Sequence, residues 1–298
     1  MCGIAGLFIK DPKLQPQLGD LLAKMTSTLC SRGPDSAGFA IYGAGQEGRS
    51  KLTISGPSEA FITNVAKRLV AAIDPGAATT VRLSHAVVLL KSEDVRRAVE
   101  WLDAHFPEAS VVSEGQRLEI YKEVGYPDDV AKAFDIASMS GTHGISHTRM
   151  ATESAVTTNG AHPFSTAADQ CLVHNGSLSN HASLRRELAR EGVKTKTEND
   201  TEVAAGYLTH RMRQGQSLGE ALKSGLDDLD GFFTFVVGTE SGFGVLRDPV
   251  ACKPAVMAET ARYVAFASEY KSLTCLPDIK TARVWEPKPA TVYFWEHA

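Results

Sequence analysis

The sequence predicts an α+β protein with a smaller α/β piece set into it, and three observations carry that prediction. The chain opens on an apolar stretch in which Ile4, Leu7 and Phe8 read as a buried strand. Residues 18–29 place Leu18, Leu21, Leu22, Met25 and Leu29 at helical spacing, as an amphipathic helix does. Near the far end, 231–238 (GFFTFVVG) and 242–247 are apolar runs of strand length, suited to adjacent strands of a buried sheet.

The first helix ends at Ser31-Arg32-Gly33-Pro34-Asp35-Ser36, where Gly-Pro forces a turn that Asp and Ser side chains can tie together. Such a loop either lies plainly on the surface or holds Arg32 over a site. A strand follows at 37–42. Residues 43–48 match GxGxxG, but a strand rather than a helix comes next, so a dinucleotide site is rejected and a hairpin loop expected. Residues 58–73 read as a helix, 79–90 as a strand, 92–105 as a helix with acids in its first turn, and 109–124 as two short strands. Pro127 opens another helix. His85, His105 and His143 fall here or at the edge and read as structural. The segment at about 55–138 is thus expected to be an inserted α/β subdomain. Helices are expected at 181–191, capped by Asn180, at 201–213 and at 217–228, with further strands at 254–258, 262–267 and 281–295.

Composition limits the function. The 298 residues allow one large domain, or one domain with an insertion. The formal net charge of −4 does not suggest a nucleic-acid surface. No run of 18 apolar residues and no signal-type leader is seen, so a cytoplasmic protein without membrane attachment is expected. Five dispersed cysteines without a CxxC pair indicate neither a disulfide framework nor a metal site.

The chemistry begins at Cys2. Removal of Met1 would give it a free α-amine beside its thiol. The amine titrates at about 7.7–8.0, so a single residue would supply nucleophile and base. Gly3 leaves room for a backbone close to a substrate. The alternative is an ordinary cytosolic start with an inert cysteine. Further along, Arg149 and Thr152 stand at a strand end, a fork and a hydroxyl suited to a carboxylate. His162 is held before a proline. Asn175-Gly176 ends a strand and reads either as a hairpin turn or as a two-donor oxyanion hole. Asp200 is either a helix N-cap or a carboxylate for a substrate ammonium. Together these groups describe attack on the side-chain amide of a free α-amino acid, and glutamine fits.

The sequence resembles the class II glutamine amidotransferases, whose glutaminase domain is an N-terminal-nucleophile hydrolase. Six stretches carry the resemblance in order: Met1-Cys2-Gly3-Ile4-Ala5-Gly6, Arg32-Gly33-Pro34-Asp35, His147-Thr148-Arg149-Met150-Ala151-Thr152, Ala161-His162-Pro163-Phe164, His174-Asn175-Gly176 and Asn199-Asp200-Thr201-Glu202. The resemblance implies a four-layer αββα sandwich over 1–298, interrupted by the insertion. It implies Cys2 as nucleophile, Asn175 and Gly176 as oxyanion hole, and Arg149, Thr152 and Asp200 as glutamine clamps, with Arg32 and His162 in support. Glu153 departs from the pattern, since several family members have histidine there.

No Ser-Gly-Gly-x-Asp-Ser pyrophosphate loop is present, and no length remains for a sugar isomerase or phosphoribosyltransferase domain. The chain looks instead like the stand-alone glutaminase subunits of split glutamate synthases and of N-methylglutamate synthase. That branch implies a hetero-oligomer in which ammonia passes to a separate synthase subunit. No cofactor or metal is expected in this chain; FMN and iron–sulfur clusters are expected only in the partners. Two alternatives stand beside this reading: an amidohydrolase acting alone, and a non-catalytic regulatory subunit.

Overall fold

A computed structural model describes residues 2–151 and 155–297 of the chain. The chain runs β1 (Gly3–Ile9), α1 (Leu18–Ser27), β2 (Ser36–Tyr42), β3 (Arg49–Ser55), α2 (Glu59–Ile73), β4 (Ala78–Arg82) and β5 (His85–Lys91). It continues through α3 (Val95–His105), β6 (Ser110–Gly115), β7 (Leu118–Val124), α4 (Pro127–Ala133), β8 (His143–Arg149), β9 (Phe164–Ala167) and β10 (Gln170–Leu178). Three helices follow, α5 (His181–Arg190), α6 (Asp200–Arg213) and α7 (Leu218–Asp228). The last strands are β11 (Gly231–Gly238), β12 (Gly242–Arg247), β13 (Val256–Glu259), β14 (Tyr263–Ala267), β15 (Arg283–Trp285) and β16 (Val292–Glu296).

Two antiparallel sheets stack face to face. One has the order β15-β13-β14-β1-β8-β2-β7 and the other β16-β12-β11-β10-β9. Strand alternation explains why β1 is apolar throughout. Ala5, Leu7 and Ile9 point outward into a core shared with Leu18, Leu22 and Met25 of α1. Ile4 and Phe8 point inward and meet Val173, Val236 and Phe243 of the second sheet. The outer face of the second sheet is covered by α5, α6 and α7 through Leu172, Phe233 and Phe235. The layers are therefore helix, sheet, sheet, helix, as expected. Among the described residues no helix is long and apolar enough to cross a membrane.

The insertion has other limits than 55–138. Strands β2 and β7 are direct neighbours, Tyr42 opposite Leu118, so residues 43–117 are spliced into one hairpin connection of the main sheet. β3 belongs to the insertion: it pairs with β5 and β6 in the sheet β4-β5-β3-β6. Leu52 and Ile54 bury there with Ile62, Leu69 and Leu102 of α2 and α3. Conversely, β7 and α4 belong to the sandwich, because Tyr121, Val130, Phe134 and Ile136 fill the core beneath α1. The GxGxxG stretch is thus a crossover between two sheets and not a hairpin loop.

Other local expectations change too. The apolar run at 79–90 breaks into β4 and β5 at Leu83, which takes a left-handed turn conformation with φ 49°. Asn180 stands at the N-cap of α5 without a side-chain cap hydrogen bond; its side chain instead bridges Asp228 O (2.8 Å) and the Asp230 N–H (3.1 Å). Asn199, not Asp200, caps α6, accepting from the Thr201 N–H at 2.9 Å. The 281–295 stretch divides between the two sheets, β15 on one and β16 on the other.

Candidate active site

Cys2 stands at the start of β1, at the mouth of a cleft of about 330 Å³. The cleft is lined by Cys2, Arg149, His162, His174, Gly176 and Asp200, among others. Five of the sequence-predicted residues thus meet at one place, though they come from positions 2 to 200. Thr152 and Glu153 lie outside the described residues.

Alternation along β10 decides what each of its residues does. Cys171 and Val173 face the first sheet, and so does Asn175, whose Nδ2 donates to Cys2 O at 3.3 Å. Leu172 and His174 face the helices. Asn175 and Gly176 are paired in the strand with Thr234 and Phe233, which removes the hairpin-turn alternative. Only glycine fits at 176, since a Cβ there would lie 1.7 Å from Phe232 O.

Arg32 is not a surface residue of a plain turn. Its Nε donates to Cys2 O (3.1 Å) and its Nη1 to Glu269 Oε1 (2.5 Å), with its side chain 11% exposed. The Cys2 carbonyl is therefore braced from both sides, by Arg32 and by Asn175. Cys2 Sγ itself lies 3.9 Å from Met150 O. Two residues along, Ile4 exchanges two hydrogen bonds with Ser268, N–H to Oγ and O from N–H, each 2.9 Å. Gly3 makes room for the protein rather than for a substrate: a Cβ there would meet Thr148 Oγ1 at 2.8 Å and Leu29 Cβ at 2.9 Å.

Asp200 begins α6, where the helix dipole favours a carboxylate. Burial alone would raise its pKa. The His174 imidazole 3.6 Å from Oδ1, with the Leu178 N–H donating to Oδ2 at 2.9 Å, outweighs this and brings it to about 2. Beneath it lies a polar cluster. His174 Nδ1 and His162 Nε2 approach Thr201 Oγ1 at 3.1 and 3.2 Å, and that hydroxyl reaches Asp200 Oδ1 at 3.3 Å. A hydroxyl has one proton to give, so Thr201 donates to Asp200 and accepts from both imidazoles. The His174 N–H donates to His162 Nδ1 at 3.4 Å, which leaves the His162 proton on Nε2, in agreement. His147 stacks on His162 with ring centroids 4.0 Å apart and approaches His174 O through Nε2 at 3.1 Å. Burial lowers the pKa of His147 to about 3 and that of His162 well below the usual value, so both are neutral at pH 7.

Comparison with known proteins agrees with this chemistry. Residues 147–275 match the family described as "Glutamine amidotransferase domain". The chain is 61% identical over 298 residues to "Glutamine amidotransferase-like protein GlxB" of Rhizobium meliloti (strain 1021), covering 100% of this chain and 99% of that one. This chain belongs to the class II glutamine amidotransferase family. It is also 35% identical to a "Putative glutamine amidotransferase" of Methanothermobacter thermautotrophicus, over 98% of this chain and 99% of that one.

The amidotransferase shares its fold with the glutamine phosphoribosylpyrophosphate amidotransferase from B. subtilis, complexed with ADP and GMP (TM-score 0.63, 18% identity). A second structure, "the allosteric regulatory enzyme of purine biosynthesis", matches with a TM-score of 0.65 at 19% identity. In both cases 99% of this chain is covered, and 47% of the other. Several residues of the site were not singled out from the sequence: His147, His174, Thr201, Ser268 and Glu269. The first three lie inside the six motif stretches and could have been found there. Ser268 and Glu269 carry no sequence signal, because only strand pairing brings β14 beside β1.

Proposed function

We propose that this amidotransferase hydrolyses L-glutamine through Cys2 once Met1 is removed, and passes the ammonia to a separate synthase subunit. The observation that carries this reading is the Cys2 thiol in one cleft with Arg149, Gly176 and Asp200. Arg149 receives the α-carboxylate of glutamine, with Thr152, and Asp200 receives the α-ammonium. The Cys2 α-amine takes the thiol proton, and the sulfur attacks the amide carbon. One N–H of the Asn175 amide is committed to Cys2 O, which orients the other, with the Gly176 N–H, toward the developing oxyanion. The tetrahedral intermediate collapses as its amide nitrogen takes up a proton and leaves as ammonia. Water then releases glutamate from the thioester and restores the thiol. Arg32 and His162 support the site without touching the reacting atoms.

The acceptor we propose is a synthase subunit of glutamate synthase or N-methylglutamate synthase type, carrying FMN and iron–sulfur clusters itself. One observation supports a separate acceptor. Met150 and Phe232, which flank Cys2 and Gly176, are exposed apolar residues of the kind a partner covers.

The test is an intact mass of the purified protein with and without 6-diazo-5-oxo-norleucine. Loss of one methionine and a single adduct mapped to Cys2 are expected. Retained Met1 and no adduct, with candidate synthase subunits present, would remove the mechanism.

A further inference from the structure

Lys122 is a buried cation that the mechanism above does not use. Lys122 lies in β7 opposite Gly38 of β2. It is 5% exposed and does not line the cleft. Its Nζ donates to the carbonyls of Ala161 (2.7 Å), Asn159 (3.1 Å) and Pro163 (3.3 Å), and it stands 4.5 Å over the Phe164 ring. Three protons thus meet three carbonyls at alternate positions of one loop, with a ring face beneath. Of the two intervening carbonyls, that of Gly160 accepts from Asn199 Nδ2 at 3.3 Å and that of His162 packs against β2. A Cβ on Gly38 would stand 2.0 Å from His162 O and 2.7 Å from Lys122 Cβ, so the loop is seated on β2 beside the lysine stem. The neighbouring Glu123 grips the same loop, accepting from Thr158 Oγ1, and accepts from Ser84 of the insertion at 2.6 Å.

The consequence lies on the other side of the loop. With its backbone drawn to Lys122, the loop turns the His162 imidazole onto His147 and toward Thr201. Arg149 Nη1 donates to Ala155 O at 3.3 Å in the same segment. Burial pulls the Lys122 pKa down to about 7 against the attraction of Glu202.

We propose that Lys122 is a positioning residue for substrate binding: its ammonium holds the loop 155–163 in the register that presents His162 and Arg149 to the glutamine cleft. This rests on the glutaminase reading. It goes beyond it by assigning substrate affinity to a residue on a strand that contributes nothing to the cleft wall.

The experiment follows labelling of Cys2 by 6-diazo-5-oxo-norleucine over a range of concentrations, for the parent and for Lys122→Met, which keeps an apolar stem and removes the donors. The half-saturating concentration is expected to rise about tenfold while the limiting rate stays within about twofold, because the Arg32 and Asn175 bonds to Cys2 O and the pairing of Asn175 and Gly176 with β11 do not involve the loop. Alkylation of Cys2 by iodoacetamide, which needs no glutamine pocket, is expected at the parent rate. A lower limiting rate at an unchanged half-saturating concentration would overturn the proposal, as would no change in either. If Lys122→Met does not fold, Lys122→Gln, which keeps two donors, is read by the same criterion. Failure of both to fold would make Lys122 a residue of the fold alone and also overturn the proposal. A parent that takes up no label would refute the glutaminase reading itself, whatever the variants do.

Discussion

Asn175 and Cys2 are separated by 173 positions in the chain, yet the Asn175 amide donates to the Cys2 carbonyl across 3.3 Å. The strand that carries the proposed oxyanion donor is thereby tied to the residue that carries the proposed nucleophile. The two sheets of the sandwich meet chemically at this hydrogen bond, since β1 belongs to one and β10 to the other.

Replacing Asn175 by Ala removes the proposed oxyanion donor and one brace of the Cys2 carbonyl together. The barrier is expected to rise by about 2.7–4 kcal/mol, a loss of about 10²–10³ in kcat, with a smaller change in KM. Steady-state release of glutamate measures it. Near-parent turnover would show that Asn175 is only a structural bridge.

Asp200→Asn is expected to raise KM for glutamine about 10- to 100-fold, the effect of losing a charge-assisted hydrogen bond to the substrate ammonium. The same variant tests the pKa assignment. The folded pKa of about 2 lies below the ordinary 3.8, so the carboxylate stabilises the fold above about pH 4 and loses that contribution as pH falls toward 2. The term is on the order of 2 kcal/mol. Urea titrations between pH 5 and 2 should show the parent losing more stability than Asp200→Asn over that window. Parallel curves would count against an ionised, hydrogen-bonded Asp200.

Arg32→Met should slow turnover about tenfold, since the Cys2 carbonyl loses a donor from a charged group while the glutamine clamps are untouched. Glu269→Gln should cost less, because Arg32 keeps its bond to Cys2 O. The double variant should resemble Arg32→Met, as the two residues act through one bridge. Additive losses in the double-mutant cycle would show that Glu269 acts on the site by another route.

The candidate site was legible in the sequence to the extent that it is written in short stretches. The order of the six stretches points to Cys2, Arg149, Asn175, Gly176 and Asp200; four of them line one cleft, and Asn175 is bonded to Cys2 O beside it. What each stretch does locally was less legible. Asn175-Gly176 reads as a turn in isolation, and only its pairing with β11 shows it to be strand. Asp200 reads as a cap, and only the competing Asn199 side chain shows which residue fills that role.

Apolar periodicity by itself determined that α1, α2 and α7 are helices and that β1, β11 and β12 are buried strands, because burial of one helix stripe or of a whole strand leaves a direct imprint on residue type. The tertiary structure alone decided three things. It set the limits of the insertion, since nothing local to β3 or β7 says which sheet each joins. It brought Ser268 and Glu269 beside Cys2, through pairing of β14 with β1. It also gave Lys122 its three carbonyls, all from one loop crossing above β2 and β7. The physical reason is common to all three. A hydrogen bond between residues distant in the chain depends on sheet register and loop path, and neither leaves a local pattern in residue type.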